Sequence, residues 1–139
     1  MKAAIIAAQR GHRVILCEGQ KRLGGQALLA QLLPGRAEFG GLVTNLLHEL
    51  AAAGVEVRLG SRVDRAMIES ESPDVVVMAT GAIPYRPSFA SEGALQIADA
   101  WQILSESIEP GHSVVVVDWR ADWIGIGIAE RLAQITGRV

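Results

Sequence analysis

Apolar positions along the chain fall into two alternating patterns. Val14-Ile15-Leu16, Val75-Val76-Val77-Met78 and Val114-Val115-Val116-Val117 are short continuous runs, mostly β-branched. Such runs read as strands buried on both faces of a parallel sheet. Val55, Val57 and Leu59 alternate with Glu56 and Arg58, the pattern of a strand with one wetter face. Between these, Phe39, Leu42, Val43, Leu46, Leu47 and Leu50 recur at helical spacing and draw one apolar stripe. Pro34-Gly35 breaks the chain ahead of the stripe, and Gly54 stops it. Helices are also predicted over residues 2–10, 97–104 and 122–135.

Strand-helix alternation with short turns implies an α/β fold, a parallel sheet with helices on both faces. Pro84, Pro87 and several small residues mark 82–93 as a connection, so the chain divides into 1–90 and 91–139. A weak repeat supports two units. Helix, glycine, basic residue and valine recur as Arg10-Gly11-His12-Arg13-Val14 and Thr136-Gly137-Arg138-Val139. Each copy reads as the helix and second strand of a βαβ unit. The first copy has no opening strand and the second no full closing one, so the chain is expected to be truncated at both ends.

Composition narrows the function classes. The chain has 139 residues, 50% apolar and 20% charged, which suits an aliphatic globular core. A formal net charge of -2 argues against nucleic acid and membrane surfaces as partners. No apolar run reaches the roughly 18 residues of a membrane span. The short apolar start, Ala3 to Ala8, runs into Gln9-Arg10 with no cleavage-like site, against secretion. Cys17 is the single cysteine, which excludes an internal disulfide, a CxxC pair and a cysteine-ligated metal. A reducing cytoplasm fits best.

Several positions suit nucleotide chemistry. Glu18 follows the first strand, where a carboxylate offers two acceptor oxygens to a ribose diol. The plain alternative is an exposed glutamate at a strand end. In Leu23-Gly24-Gly25-Gln26 the paired glycines let backbone approach a phosphate or sugar, or simply make a turn. Ala79-Thr80-Gly81 puts small residues at a strand's carboxyl end, where a ligand can cross the sheet edge. His12, His48 and His112 are scattered, and no catalytic or metal-ligating set stands out. Cys17 reads as a small core residue. Arg62, Asp64 and Arg65 read as a solvated surface.

Taken in order, these segments resemble a known family. Glu18, Leu23-Gly24-Gly25-Gln26, Pro34-Gly35-Arg36-Ala37-Glu38-Phe39, Ala79-Thr80-Gly81 and the run from Asp118 to Gly125 are similar to the C-terminal half of the NADH:flavin oxidoreductases of the trimethylamine dehydrogenase and 2,4-dienoyl-CoA reductase type. The resemblance covers essentially the whole chain and implies an incomplete Rossmann-like FAD/NAD(P)-binding fold. Residues 1–90 would be a partial FAD- or ADP-binding domain without its first strand and glycine-rich loop. Residues 91–139 would begin a second, NAD(P)-binding-like domain. FMN and a 4Fe-4S cluster would belong to an absent N-terminal barrel domain.

The resemblance assigns roles by position. Glu18 would bind the adenosine ribose, and Gly25 and Gln26 would lie along the FAD or ADP. Val63 would meet the adenine through its backbone. Ala79, Thr80 and Gly81 would sit near the pyrophosphate or flavin side. No residue is assigned to catalysis or to a metal. The chain is thus expected to contribute a nucleotide-binding region to a flavin-dependent oxidoreductase and to be inactive alone. The alternative is a non-enzymatic module that binds an adenine nucleotide or associates with a separate barrel subunit. An NAD(P)H site is disfavoured after the strand at 114–118. Trp123 falls at a first-glycine position there, where a side chain obstructs the backbone approach that glycine allows. That corner is expected to bury Trp119 and Trp123 and to pair Arg120 with an aspartate.

Overall fold

The computed structural model describes residues 1–88 and 95–136. The elements run α1 (Lys2–Gln9), β1 (Ile15–Glu18), α2 (Gln26–Ala30), α3 (Glu38–Ala52), β2 (Glu56–Leu59), α4 (Arg65–Glu71), α5 (Ala100–Leu104) and α6 (Trp123–Thr136). The fold is mixed α/β. Among the described residues the sheet is a parallel pair, with Ile15 opposite Glu56 and Glu18 opposite Leu59. A parallel pair needs a crossover connection, which α2 and α3 supply.

The chain forms two compact units. The first comprises Met1–Leu28 and Glu38–Gly81, and the second comprises Leu29–Ala37 and the described residues from Ala82 onward. The expected boundary between 90 and 91 lies outside the described residues, as does the Gly137-Arg138-Val139 end of the sequence repeat.

In the first unit α1 packs on α3. Ile5, Leu23, Leu50 and Val55 form the buried core, flanked by Ala4, Ala8, Val14, Leu16 and Leu46. The apolar stripe predicted for 39–50 becomes α3, which ends as its sequence dictates. Gly54 takes φ +69, its N–H donates to Ala51 O at 3.1 Å, and Val55 N donates to Leu50 O at 3.2 Å. These two bonds satisfy carbonyls that the helix end would leave orphaned, and Val55 closes over Leu50 in the core. Lys2 of α1 forms an ion pair with Glu49 of α3.

In the second unit Leu33, Leu104, Ile128 and Leu132 form the core. Gly127 lets α6 approach the 29–37 segment: a Cβ there would lie 3.1 Å from Leu33 Cδ2. Arg131 ties the same segment by donating from Nη1 to Leu32 O at 3.1 Å. The helix expected over 97–104 starts later, at Ala100. Asp99 and Gln102 form a capping box that fixes that start.

Two expected strands differ. The runs 75–78 and 114–117 have no ladder partner among the described residues. They are also not buried: Val75 is 76% exposed and Val115 is 84% exposed, although Val114 and Val116 reach the second core. A β-branched run suits a doubly covered strand only when neighbouring strands take its N–H and C=O groups. The described residues provide no such neighbour.

One polar helix escapes the apolar pattern. Asp64 caps α4 by accepting from Met67 N at 2.8 Å, and Arg65 pairs with Glu69 one turn on. The Asp64-Arg65 surface is solvated as expected, and it is also a helix start.

Candidate functional site

β1 delivers Glu18 half-buried at its carboxyl end. Gln20 N donates to Glu18 Oε1 at 2.9 Å, which turns the carboxylate back over its own loop. The chain leaving β2 lies on that loop. Gly60 N donates to Gln20 O at 2.8 Å, and Ser61 N donates to Glu18 O at 2.9 Å. A Cβ on Gly19 would lie 3.6 Å from Arg62 Cγ. The loops leaving both parallel strands are thereby joined beside Glu18, and Val63 follows two residues later, half-exposed. This is the strand edge at which open α/β sheets receive ligands.

Gly24 and Gly25 turn the chain from β1 into α2 with φ +125 and +49. Gly24 is enclosed, whereas Gly25 has open space where a side chain would be. Gln26 opens α2, and its Nε2 lies 3.5 Å from where a Cβ on Gly81 would sit. Ala79, Thr80 and Gly81 are exposed. The structure therefore makes two groupings, Glu18 with the 60–63 loop and Gln26 with Gly81, and all seven candidate residues lie in the first unit.

A carboxylate here offers acceptor oxygens of the kind a sugar diol donates to. One Glu18 oxygen is held by Gln20 N, and the other accepts no hydrogen bond among the described residues. A carboxylate held on one side keeps its orientation while offering the second oxygen to hydroxyl donors.

Beside this edge, Arg58 of β2 donates to Glu71 Oε1 at 2.6 Å and to Glu56 Oε1 at 2.7 Å. The Glu71 bond, then the Glu56 bond, hold the guanidinium above its ordinary pKa. A raised basic pKa stabilises the fold below the unfolded value and fades only as pH rises through the folded one. Arg58 therefore stays charged at all working pH. The cluster pins α4 to β2 and is partly exposed, so Arg58→Met is expected to lower the urea midpoint only slightly. A large drop would show a buried role that the exposure denies.

The corner after 114–117 is closed by its own carboxylates. Asp118 Oδ1 accepts from Arg120 N at 2.9 Å and Ala121 N at 3.1 Å. Asp122 Oδ1 accepts from Ile124 N at 2.9 Å, and Asp122 Oδ2 pairs with Arg120 Nε at 2.9 Å. The expected Arg120–aspartate pair is therefore present. The expected burial of the indoles is not: Trp119 is 71% exposed and Trp123 is 39% exposed. The tight turn spends its length closing on the carboxylates, which leaves the rings outside. The Arg36 guanidinium lies 5.0 Å over the Trp123 ring.

Elsewhere, His12, His48 and His112 are exposed, and Cys17 is half-buried with a free thiol. Among the described residues no group of three or more His, Cys, Asp or Glu side chains could hold a metal ion. Among the same residues no helix is long and apolar enough to cross a membrane. The 60–61 loop, which buttresses Glu18, was missed by sequence reasoning. Its one local signal is Gly60, which takes φ +62 to leave the strand.

Comparison with known proteins places these features in context. No protein-family model matches the chain. It is 37% identical to N,N-dimethylglycine/sarcosine dehydrogenase of Chromohalobacter salexigens, across 96% of the chain and 20% of that protein. It is 38% identical to NADH oxidase of Thermoanaerobacter brockii, across 100% of the chain and 22% of that protein. A 2-naphthoyl-CoA reductase solved with 2-naphthoyl-CoA superposes with a TM-score of 0.82 at 26% identity, over 96% of the chain and 20% of that structure. The chain thus spans about a fifth of the length of the proteins it matches.

Proposed function

Because this chain belongs to the NADH:flavin oxidoreductases, as a segment about a fifth of their length, we propose that it contributes their adenine-nucleotide-binding region. Residues 1–90 would form the part that binds FAD or ADP, and 91–139 would begin the second nucleotide-binding-like part. The reading is carried by Glu18, held at a parallel strand's carboxyl end with one oxygen open to a diol. Glu18 would accept from the ribose hydroxyls. The 61–63 backbone would flank the adenine, and Gly25, Gln26 and Ala79-Thr80-Gly81 would line the path of the phosphates. A bound flavin would supply one- and two-electron transfer; these residues hold and orient it and take no part in the bond changes. FMN and an iron–sulfur cluster would sit in the barrel portion of the full enzyme, which reads the substrate.

ADP titration of the chain, followed by amide NMR shifts, tests this reading. Saturable shifts are expected at Gln20, at 61–63 and at the Gln26 side chain. Glu18→Ala is expected to weaken binding about tenfold with the fold intact, the loss of one or two charge-assisted hydrogen bonds. Unchanged affinity in Glu18→Ala, or shifts confined to the second unit, would overturn the assignment.

A further inference from the structure

The second unit offers the setting in which dinucleotides are bound elsewhere, a short turn that follows a β-branched run and leads into a long helix. Such a site works because backbone N–H groups of the turn and the first helical turn point at a phosphate, which the helix dipole also favours. Here those donors are spent. Arg120 N and Ala121 N both donate to Asp118 Oδ1, and Ile124 N, in the first turn of α6, donates to Asp122 Oδ1. The other Asp118 oxygen fills the close-approach space above Gly125. A Cβ at Gly125 would lie 2.3 Å from Asp118 Oδ2, so the carboxylate rests directly on the helix backbone where glycine leaves room. Ala121 is held at φ +50 to complete the turn, a conformation that non-glycine residues adopt only when the surroundings impose it.

We infer that Asp118 is a built-in anion: with Asp122 it occupies the phosphate position of the second unit and excludes NAD(P) from it. Arg120 offsets the charge of Asp122, which leaves the Asp118 carboxylate standing where a pyrophosphate would bring more negative charge, and the three amides that would bind it are already bonded. Trp123, the first residue of α6, also puts a bulky side chain at the position where a dinucleotide turn has a glycine, so bulk, charge and hydrogen bonding act in one direction. This inference concerns the second unit and stands whether or not the first binds ADP.

The test uses the full chain and inorganic pyrophosphate, followed by amide NMR at Arg120, Ala121 and Ile124. In the wild type these three amides are expected not to respond. In Asp118→Ala/Asp122→Ser, which frees the turn and leaves a neutral helix cap, they are expected to shift saturably, with affinity at least about tenfold above the wild type. Asp118→Ala alone keeps the Asp122 cap, and it carries the test at Arg120 and Ala121 if the double variant does not fold. Saturable wild-type shifts at these amides would overturn the inference. So would folded variants that stay as inert as the wild type.

Discussion

Leu50→Ala is expected to remove about 2–5 kcal/mol from the stability of the first unit, a loss of the size that unfolds marginal domains. Leu50 is 2% exposed and shares its core with Ile5, Leu23 and Val55. Truncation removes three heavy atoms from a site closed by α1, by α3 itself and by the residue entering β2. The neighbours are pinned. Ile5 is fully buried, and Val55 is held by its own N–H on the Leu50 carbonyl. A cavity that cannot collapse lies at the costly end of this range. Leu42→Ala is the control, since Leu42 lies on the same helix at 51% exposure and its loss is expected to stay within about 0.5 kcal/mol. Equilibrium denaturation of both variants decides the matter. Equal losses would mean that Leu50 is not seated in the core as described.

That contrast shows which parts of the fold are legible in sequence. The stripe from Phe39 to Leu50 is local information, because a helix closes its own hydrogen bonds and its 3.6-residue period carries the residues that become buried, Val43 and Leu50, although Leu42 and Leu47 of the same stripe stay exposed. Its ending is local as well, through Gly54. The valine runs are different. Val75-Val76-Val77-Met78 and Val114-Val115-Val116-Val117 state a preference for β geometry, but strand pairing depends on neighbours that a linear pattern does not name. Of the four runs predicted as strands, those that became β1 and β2 have each other. The others have no partner among the described residues. α4 was illegible for the opposite reason: it has no continuous apolar stripe, and it is announced by the Asp64 cap alone.

The candidate site divides in the same way. Glu18, Gly25 and Gln26 are visible because a strand end and a glycine pair have chemical meaning in place. The support of Glu18 by Ser61 and the approach of Gln26 to Gly81 are tertiary facts, made by elements more than 40 residues apart in the chain. The self-bonded turn at Asp118 was hidden most deeply. Its aspartates read as ordinary polar residues until their oxygens are seen to take the turn's own amides.

Gly24→Ala should be the most damaging single change near the site, and its neighbour supplies the comparison. At φ +125 Gly24 lies outside even the left-handed helical region, where an L residue is strained by about 1–3 kcal/mol. The added methyl would also meet Leu28 Cγ at 2.7 Å and Val43 Cγ1 at 3.0 Å, and Val43 is itself buried at 4% exposure. Relief requires either Val43 or the start of α2 to move, an overpacking penalty of about 1–3 kcal/mol. The two effects together predict a loss of about 2–6 kcal/mol. Gly25 has φ +49 and nothing within 4 Å of a new Cβ, so Gly25→Ala bears only the left-handed penalty of about 1–2 kcal/mol. The functional consequence follows from the same geometry, since the Gly24-Gly25 turn aims α2 so that Gln26 reaches Gly81. In Gly24→Ala the Gln26 side-chain amide should lose its response to ADP before the amides at 61–63 do, because Glu18 and its loop are held independently by β2. Melting curves of the two alanine variants, with ADP titrations at a temperature where both remain folded, read out both effects. A Gly24→Ala protein as stable as Gly25→Ala would show that the turn is not the enclosed, positive-φ bend on which the placement of Gln26 depends.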